Sequence, residues 1–137
     1  MKKLKGIDGK LDDAWAILVK LKADNRCEYC GKAAYVKDTG RKVGMQAHHI
    51  YSRSKRSTRW LIINGISLCP AHHTLSSEFS AHKTPMEFTT WILKERGEEW
   101  FDDLTLKANT MEKLFKFEKE ALLEMLLMEI KEYERTT

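Results

Sequence analysis

The sequence predicts an α+β fold, with a small core of short paired strands flanked by one helix before it and several after it. Three observations carry this. Apolar residues recur at helical spacing over 10–23, 85–96 and 111–135. Between these stretches, 43–50 and 60–69 read as two short strands. Cys27, Cys30, Cys69 and His72 form two pairs with the same two-residue gap, one on either side of the strands. The 137 residues suit one domain with a single modest core. Its parts are an N-terminal helix within 1–25, a core over 26–80 and a helical extension over 84–137.

The first helix is read from Leu11, Ala14, Trp15, Leu18 and Val19, which share one face. Residues 26–34 form a knuckle, where Gly31 permits a tight turn after Cys30. The polar run 37–42 (KDTGRK) is a turn. Over 43–50, Val43, Met45 and Ala47 alternate with Gln46, His48 and Ile50. The run 52–59 (SRSKRSTR) is a basic loop with no core pattern. Trp60 to Ile63, then Ile66 and Leu68, lead into Cys69 as the second strand. Pro70 suits the first turn of a short helix carrying His72 and His73. Thr84-Pro85-Met86-Glu87 reads as a capping box opening a helix that ends at Gly97. A short helix follows over 98–107. The last helix, 111–135, presents Leu114, Phe115, Leu122, Met125, Leu126 and Ile130 on a wide face, suited to core packing or to a homodimer.

Composition removes several classes. Hydrophobic residues are 42% and charged residues 32%, with 7 Gly and 2 Pro, which excludes collagen-like and linker chains. No apolar run is long enough to span a membrane, because Glu124 and Glu129 break the richest stretch. Met-Lys-Lys-Leu-Lys meets Gly and Asp at once, so no apolar signal core is expected. The net charge of +4 is uneven: residues 26–75 carry nine Lys/Arg against Glu28 and Asp38, whereas 76–137 carry nine against fourteen acids. A basic middle beside an acidic tail suits a polyanion partner.

Three cysteines do not make a disulfide framework, which wants an even set. A Cys3His set is an accepted tetrahedral zinc site, and thiolates at this spacing select a soft or borderline ion. A redox CxxC with an unrelated cysteine is the competing reading. His48, His49, His73 and His82 remain after zinc is satisfied, more than a structural knuckle needs.

Taken together, Cys27-x-x-Cys30, Gln46-Ala-His48-His49-Ile50 and Asn64-Gly-Ile-Ser-Leu-Cys69-x-x-His72-His73 resemble an HNH nuclease with the ββα-metal fold. The resemblance covers roughly 26–78. It implies that His49 is the general base, that His48 and His73 bind the catalytic cation, and that Asn64 ties the metal loop together or orients the base. His72 stands where many relatives have Cys, so either His72 or His73 is left as the fourth zinc ligand. A third cation ligand used by some relatives would fall at Ser77, a poor ligand, with Glu78 adjacent as a weak candidate; water and substrate phosphate are then expected to complete the shell.

The implied reaction is hydrolysis of DNA phosphodiesters, leaving 5′-phosphate and 3′-hydroxyl ends. Zinc is structural, and Mg²⁺, Mn²⁺ or Ni²⁺ is catalytic. Imidazole ligands favour the transition metals. Arg53, Lys55, Arg56 and Arg59 of the basic loop are the expected phosphate contacts. The first helix running into Arg26-Cys27, with Tyr51-Ser-Arg53, Arg59-Trp60 and Asn64-Gly65, is similar to phage recombination nucleases of the NinG type. That likeness implies branched or nicked DNA as substrate and the cytoplasm of a bacterial or phage-infected cell. The alternatives are a non-catalytic zinc module that binds nucleic acid, and a zinc-stabilised protein-interaction domain using the acidic last helix.

Overall fold

The computed structural model describes residues 5–110 and 113–136. In chain order the elements are helix α1 (Ile7–Lys22), strands β1 (Tyr35–Val36), β2 (Lys42–Val43) and β3 (Gln46–His49), a 3₁₀ turn (Ile62–Asn64), strand β4 (Gly65–Leu68) and a π-helical turn (Ala71–Leu75). Helices α2 (Pro85–Arg96), α3 (Glu98–Ala108) and α4 (Lys116–Thr136) follow. The fold is mixed α+β. None of the described helices is long and apolar enough to cross a membrane.

The strands form two separate antiparallel hairpins. In the first, Tyr35 pairs with Val43 and Val36 with Lys42. In the second, β3 pairs with β4 from Gln46–Leu68 to His49–Gly65. The continuous strand expected over 43–50 is therefore divided. The turn at 37–42 closes its own hairpin, with Gly40 at φ +83° and Lys37 N–H donating to the Arg41 carbonyl at 2.8 Å. Residues 60–63 also depart from the expected strand. The Leu61 carbonyl accepts Trp15 Nε1–H at 2.8 Å and the Ile63 carbonyl accepts Trp100 Nε1–H at 2.8 Å, so tryptophans take the acceptors a ladder would use.

Two apolar clusters lie on either side of the β3–β4 hairpin. The first joins Leu11, Ala14, Trp15, Leu18 and Val19 of α1 to Trp60, Leu126 and Ile130. Those five residues of α1 are its buried face, as the spacing predicts. Helix α4 packs along α1 in the same direction, since Asp8 pairs with Lys119 at one end and Lys22 with Glu129 at the other. Of the face predicted for the last helix, Leu126 and Ile130 are buried, whereas Phe115 and Met125 are exposed. That helix starts at Lys116, and its predicted first residues, 111 and 112, lie outside the described residues. The second cluster holds Cys27, Met45, Ile66, Leu68, Cys69, Phe88 and Ile92.

Helix α2 starts at Pro85 and stops at Gly97, whose φ is +89°. The predicted capping box does not form. The Thr84 hydroxyl accepts from Ser80 N–H and donates to the Ser80 carbonyl, both at 2.9 Å, so it is turned into the preceding loop.

Gly65 is where α1 meets the second hairpin. A Cβ there would overlap the Val19 side chain and stand 2.8 Å from Trp15 Cζ2. Overpacking of this kind costs about 1–3 kcal/mol. Gly65→Ala should lower the urea midpoint accordingly. Gly44→Ala, whose Cβ would meet open space, should leave the midpoint near that of the wild type. Equal midpoints for Gly65→Ala and wild type would refute the close approach.

Candidate metal centres and active-site cleft

Two clusters of metal-ligating side chains flank the residues joining β4 to the π-helical turn. The first is Cys27, Cys30, Cys69 and His72, whose ligand atoms all lie within 4.8 Å of one another. Cys30 Sγ is 3.9 Å from Cys69 Sγ, and His72 Nδ1 is 3.7 Å from Cys27 Sγ and 3.3 Å from Cys69 Sγ. Around one tetrahedral ion at ordinary zinc bond lengths, S–S edges are about 3.8 Å and S–N edges about 3.6 Å. The set fits a four-coordinate ion. The sulfur separations are far beyond a disulfide bond.

The knuckle that supplies Cys27 and Cys30 is stitched to β4. Glu28 N–H donates to the Ser67 carbonyl at 2.8 Å, and the Glu28 carboxylate accepts Ser67 N–H at 2.7 Å. Arg96 of α2 holds that carboxylate at 3.2 Å. Gly31, at φ +75°, returns its N–H to the Cys27 carbonyl at 2.8 Å. Burial pushes the Cys69 thiol up to about 11, and the neighbouring Cys27 adds to the shift. Burial also acts to raise Cys27, but N–H groups of its turn, Cys30's among them, outweigh it and lower its pKa. Thiolates this close repel one another, so the whole set ionises only around a cation.

The second cluster is His48, His73 and His82, again within 4.8 Å by ligand atoms. His48 and His73 are the pair that the HNH resemblance assigns to a cation. His82 is new: in the sequence it is a surplus histidine with no role. Residues 72–82 double back, with Ala81 N–H donating to the His72 carbonyl at 2.9 Å and His82 N–H to the His73 carbonyl at 3.0 Å. This brings His82 Nε2 to 3.1 Å from His73 Nε2. Two nitrogens bound to one ion at 2.0–2.1 Å stand about 2.9 Å apart at a right angle and about 3.3 Å at the tetrahedral angle. The observed gap lies between the two. Ser77 and Glu78, where the resemblance would put a third ligand, are exposed and outside the cluster.

Second contacts orient these rings. His73 Nδ1–H donates to the side-chain carbonyl of Gln46, which leaves Nε2 as the lone-pair nitrogen facing His82. His72 groups with the three cysteines, and His73 groups with the other two histidines. Burial, with the nearby His73, His82 and His49, lowers His48 to about 3. Burial and His82 lower His73 as well. Neutral imidazole is the form that binds a cation.

His49 shares an open cleft of about 490 Å³ with His48, His73 and His82. Its ring stacks on Trp15 at 3.8 Å with 9° between the planes. Its Nε2–H donates to the Arg59 carbonyl at 2.9 Å. A carbonyl only accepts, so this bond fixes the tautomer and leaves Nδ1 as the basic nitrogen. Burial is the largest influence on His49 and lowers its pKa, against the opposing effects of the Arg59 carbonyl and Asp12. Asn64 is fully buried and lies outside the cleft lining. Its Oδ1 accepts Tyr51 N–H at 2.7 Å and its Nδ2–H donates to the Tyr51 carbonyl at 3.0 Å. It therefore pins the chain just past His49.

The basic loop is largely committed inward. Arg59 grips Asp12 with Nε at 2.9 Å from Oδ1 and Nη2 at 2.7 Å from Oδ2, and Trp60 Nε1–H donates to the same carboxylate at 2.8 Å. Burial acts to raise Asp12, but these partners hold it below the usual carboxylate range. Lys55 donates to the Ala108 carbonyl at 3.2 Å. Arg53 also reaches Asp12, at 3.1 Å, although it is exposed and lines the cleft. Arg56 is exposed and makes no ion pair with the other described residues. No protein-family model matches this chain, and no curated protein or solved structure is significantly similar to it.

Proposed function

We propose that the protein is a metal-dependent DNA endonuclease of the HNH type, with structural zinc at Cys27, Cys30, Cys69 and His72 and a catalytic divalent cation at His48, His73 and His82. The observation that carries this reading is the convergence of His48, His73 and His82 in the same cleft as His49, apart from the Cys3His set. A structural zinc module needs the first cluster and has no use for the second.

Phosphodiester hydrolysis needs an attacking water, a base for its proton and stabilisation of charge on the phosphoryl group. His49 is the base: Nδ1 takes the water proton while Nε2–H stays on the Arg59 carbonyl. Its lowered pKa keeps it neutral at pH 7. Trp15 and Asn64 restrict where the ring and the following chain can move. His48, His73 and His82 would hold a divalent cation, which would supply Lewis-acid stabilisation of charge on the phosphoryl group. The products are 5′-phosphate and 3′-hydroxyl ends. The likeness to NinG-type nucleases makes branched or nicked DNA the substrate to follow supercoiled plasmid.

The test is nicking of supercoiled plasmid by zinc-loaded protein with Mn²⁺, Ni²⁺ or Mg²⁺. Three imidazole ligands favour the transition metals, so cleavage with Mn²⁺ or Ni²⁺ should at least equal that with Mg²⁺. Loss of a mere outer-shell partner costs about 10–100-fold in metal affinity or activity. His82→Ala should lose at least that much. Cleavage confined to Mg²⁺, or wild-type nicking by His82→Ala, would count against the cation site.

A further inference from the structure

We infer that the β1–β2 hairpin and the chain leading into it form the track for the nucleic-acid backbone, with Lys32, Lys37, Arg41 and Lys42 as its phosphate contacts. The inference rests on the nuclease reading and names the surface by which the substrate reaches the cleft.

An open groove of about 470 Å³ runs between the hairpin, the Cys30 side of the knuckle and the π-helical turn. Its lining includes these four cations and no carboxylate. Asp38, the one acid of the hairpin, sits in the exposed turn and outside that lining. All four cations are exposed, and none makes an ion pair with the other described residues. Lys32 Nζ stands 4.3 Å from the centroid of the Tyr35 ring, a cation–π contact that leaves its positive charge uncancelled by any carboxylate among the described residues. Lys37 and Arg41 are held side by side, because Lys37 N–H donates to the Arg41 carbonyl at 2.8 Å.

This is the reverse of the 53–59 loop. There Arg59 and Arg53 share Asp12, and Lys55 is spent on a helix-end carbonyl. Phosphate neutralisation releases counterions only where the cation is not already paired within the protein. The hairpin meets that condition better than the loop.

Position distinguishes a nucleic acid from an acidic protein partner. Gln46 lines the groove, and its amide oxygen accepts His73 Nδ1–H at the cation cluster. A phosphate backbone lying in the groove is therefore one side chain, Gln46, away from His73. An acidic protein gains nothing from that proximity.

The experiment is fluorescence anisotropy of a short fluorescein-labelled duplex with zinc-loaded protein, without added catalytic cation, across about 50 to 200 mM salt. The hairpin variant is Lys37→Ala/Arg41→Ala/Lys42→Ala. The loop variant is Arg53→Ala/Arg56→Ala. Losing three phosphate contacts lowers the slope of log K against log salt by about 2.7. Over that fourfold salt range, the hairpin variant should then lose about 40-fold less affinity than the wild type does. The loop variant should stay closer to the wild-type slope, and Lys37→Arg/Lys42→Arg should keep it.

A wild-type slope in the hairpin variant at equal zinc content would overturn the inference. So would a larger fall in the loop variant, or a wild type that binds neither duplex nor single strand. Cleavage assays on the same preparations separate the two readings: hairpin-dependent binding without cleavage of plasmid, nicked or branched DNA by any preparation keeps the track and refutes the nuclease.

Discussion

Cys27→Ser should unfold the protein and not merely slow it. Cys27 is 1% exposed and belongs to the second apolar cluster as well as to the Cys3His set. Its loss removes one of four ligands and places a hydroxyl where the packing is apolar. Structural zinc contributes about 10–16 kcal/mol of apparent binding energy in small zinc domains. Whole domains are stable by only about 5–15 kcal/mol. Losing a ligand therefore puts the entire fold at risk.

The knuckle also bears on the cleft. Glu28 holds β4 by two hydrogen bonds, and β4 pairs with the strand carrying His48 and His49. Zinc stoichiometry and a thermal melt by circular dichroism check the expectation. Metal content well below one per chain and no cooperative melt are expected. A variant with little zinc that melts cooperatively near the wild-type temperature would show that the cluster is dispensable for folding.

His49→Ala should lower plasmid nicking by about 10²–10⁴-fold, the usual range for a general base, at unchanged zinc content. The pH dependence adds a second signature. Neutral imidazole is the active form, so the wild-type rate should fall as the solution is acidified through the His49 pKa. Burial places that pKa below the ordinary 6.5, so kcat/KM should be flat through neutral pH and decline only below about 6.5. The sign for stability is the same. A histidine that binds its proton less readily when folded contributes stability present above its unfolded pKa and lost as pH falls through the folded one. A profile that instead declines toward high pH, or equal nicking by wild type and His49→Ala, would remove His49 from the base role.

What neighbouring residues decide is legible in the sequence alone. The helical spacing of Leu11, Ala14, Trp15, Leu18 and Val19 marks the buried face of α1, because a helix puts residues three and four apart on one side. The repeated two-residue gap marks Cys27, Cys30, Cys69 and His72 as one ligand set, because each turn delivers two ligands to the same point. The HNH resemblance, and not local spacing, pairs His48 with His73, and the two do share a cluster.

The tertiary structure decided what depends on where the chain returns. His82 reaches His48 and His73 only because residues 76–84 fold back on the His72 and His73 carbonyls. No local periodicity encodes that return; the only sequence signal is an unexplained fifth histidine. Within the basic loop, Arg59 and Arg53 pair with Asp12, a partner far away in the chain that local spacing does not reveal. The hairpin cations look like ordinary turn residues until the fold sets them around a groove lined by Gln46, which hydrogen-bonds His73. Spacing fixes a ligand set within one turn of chain, since covalent geometry limits its reach. Whether a charge is free or spent is fixed by long-range packing, since only the folded chain brings its partner near.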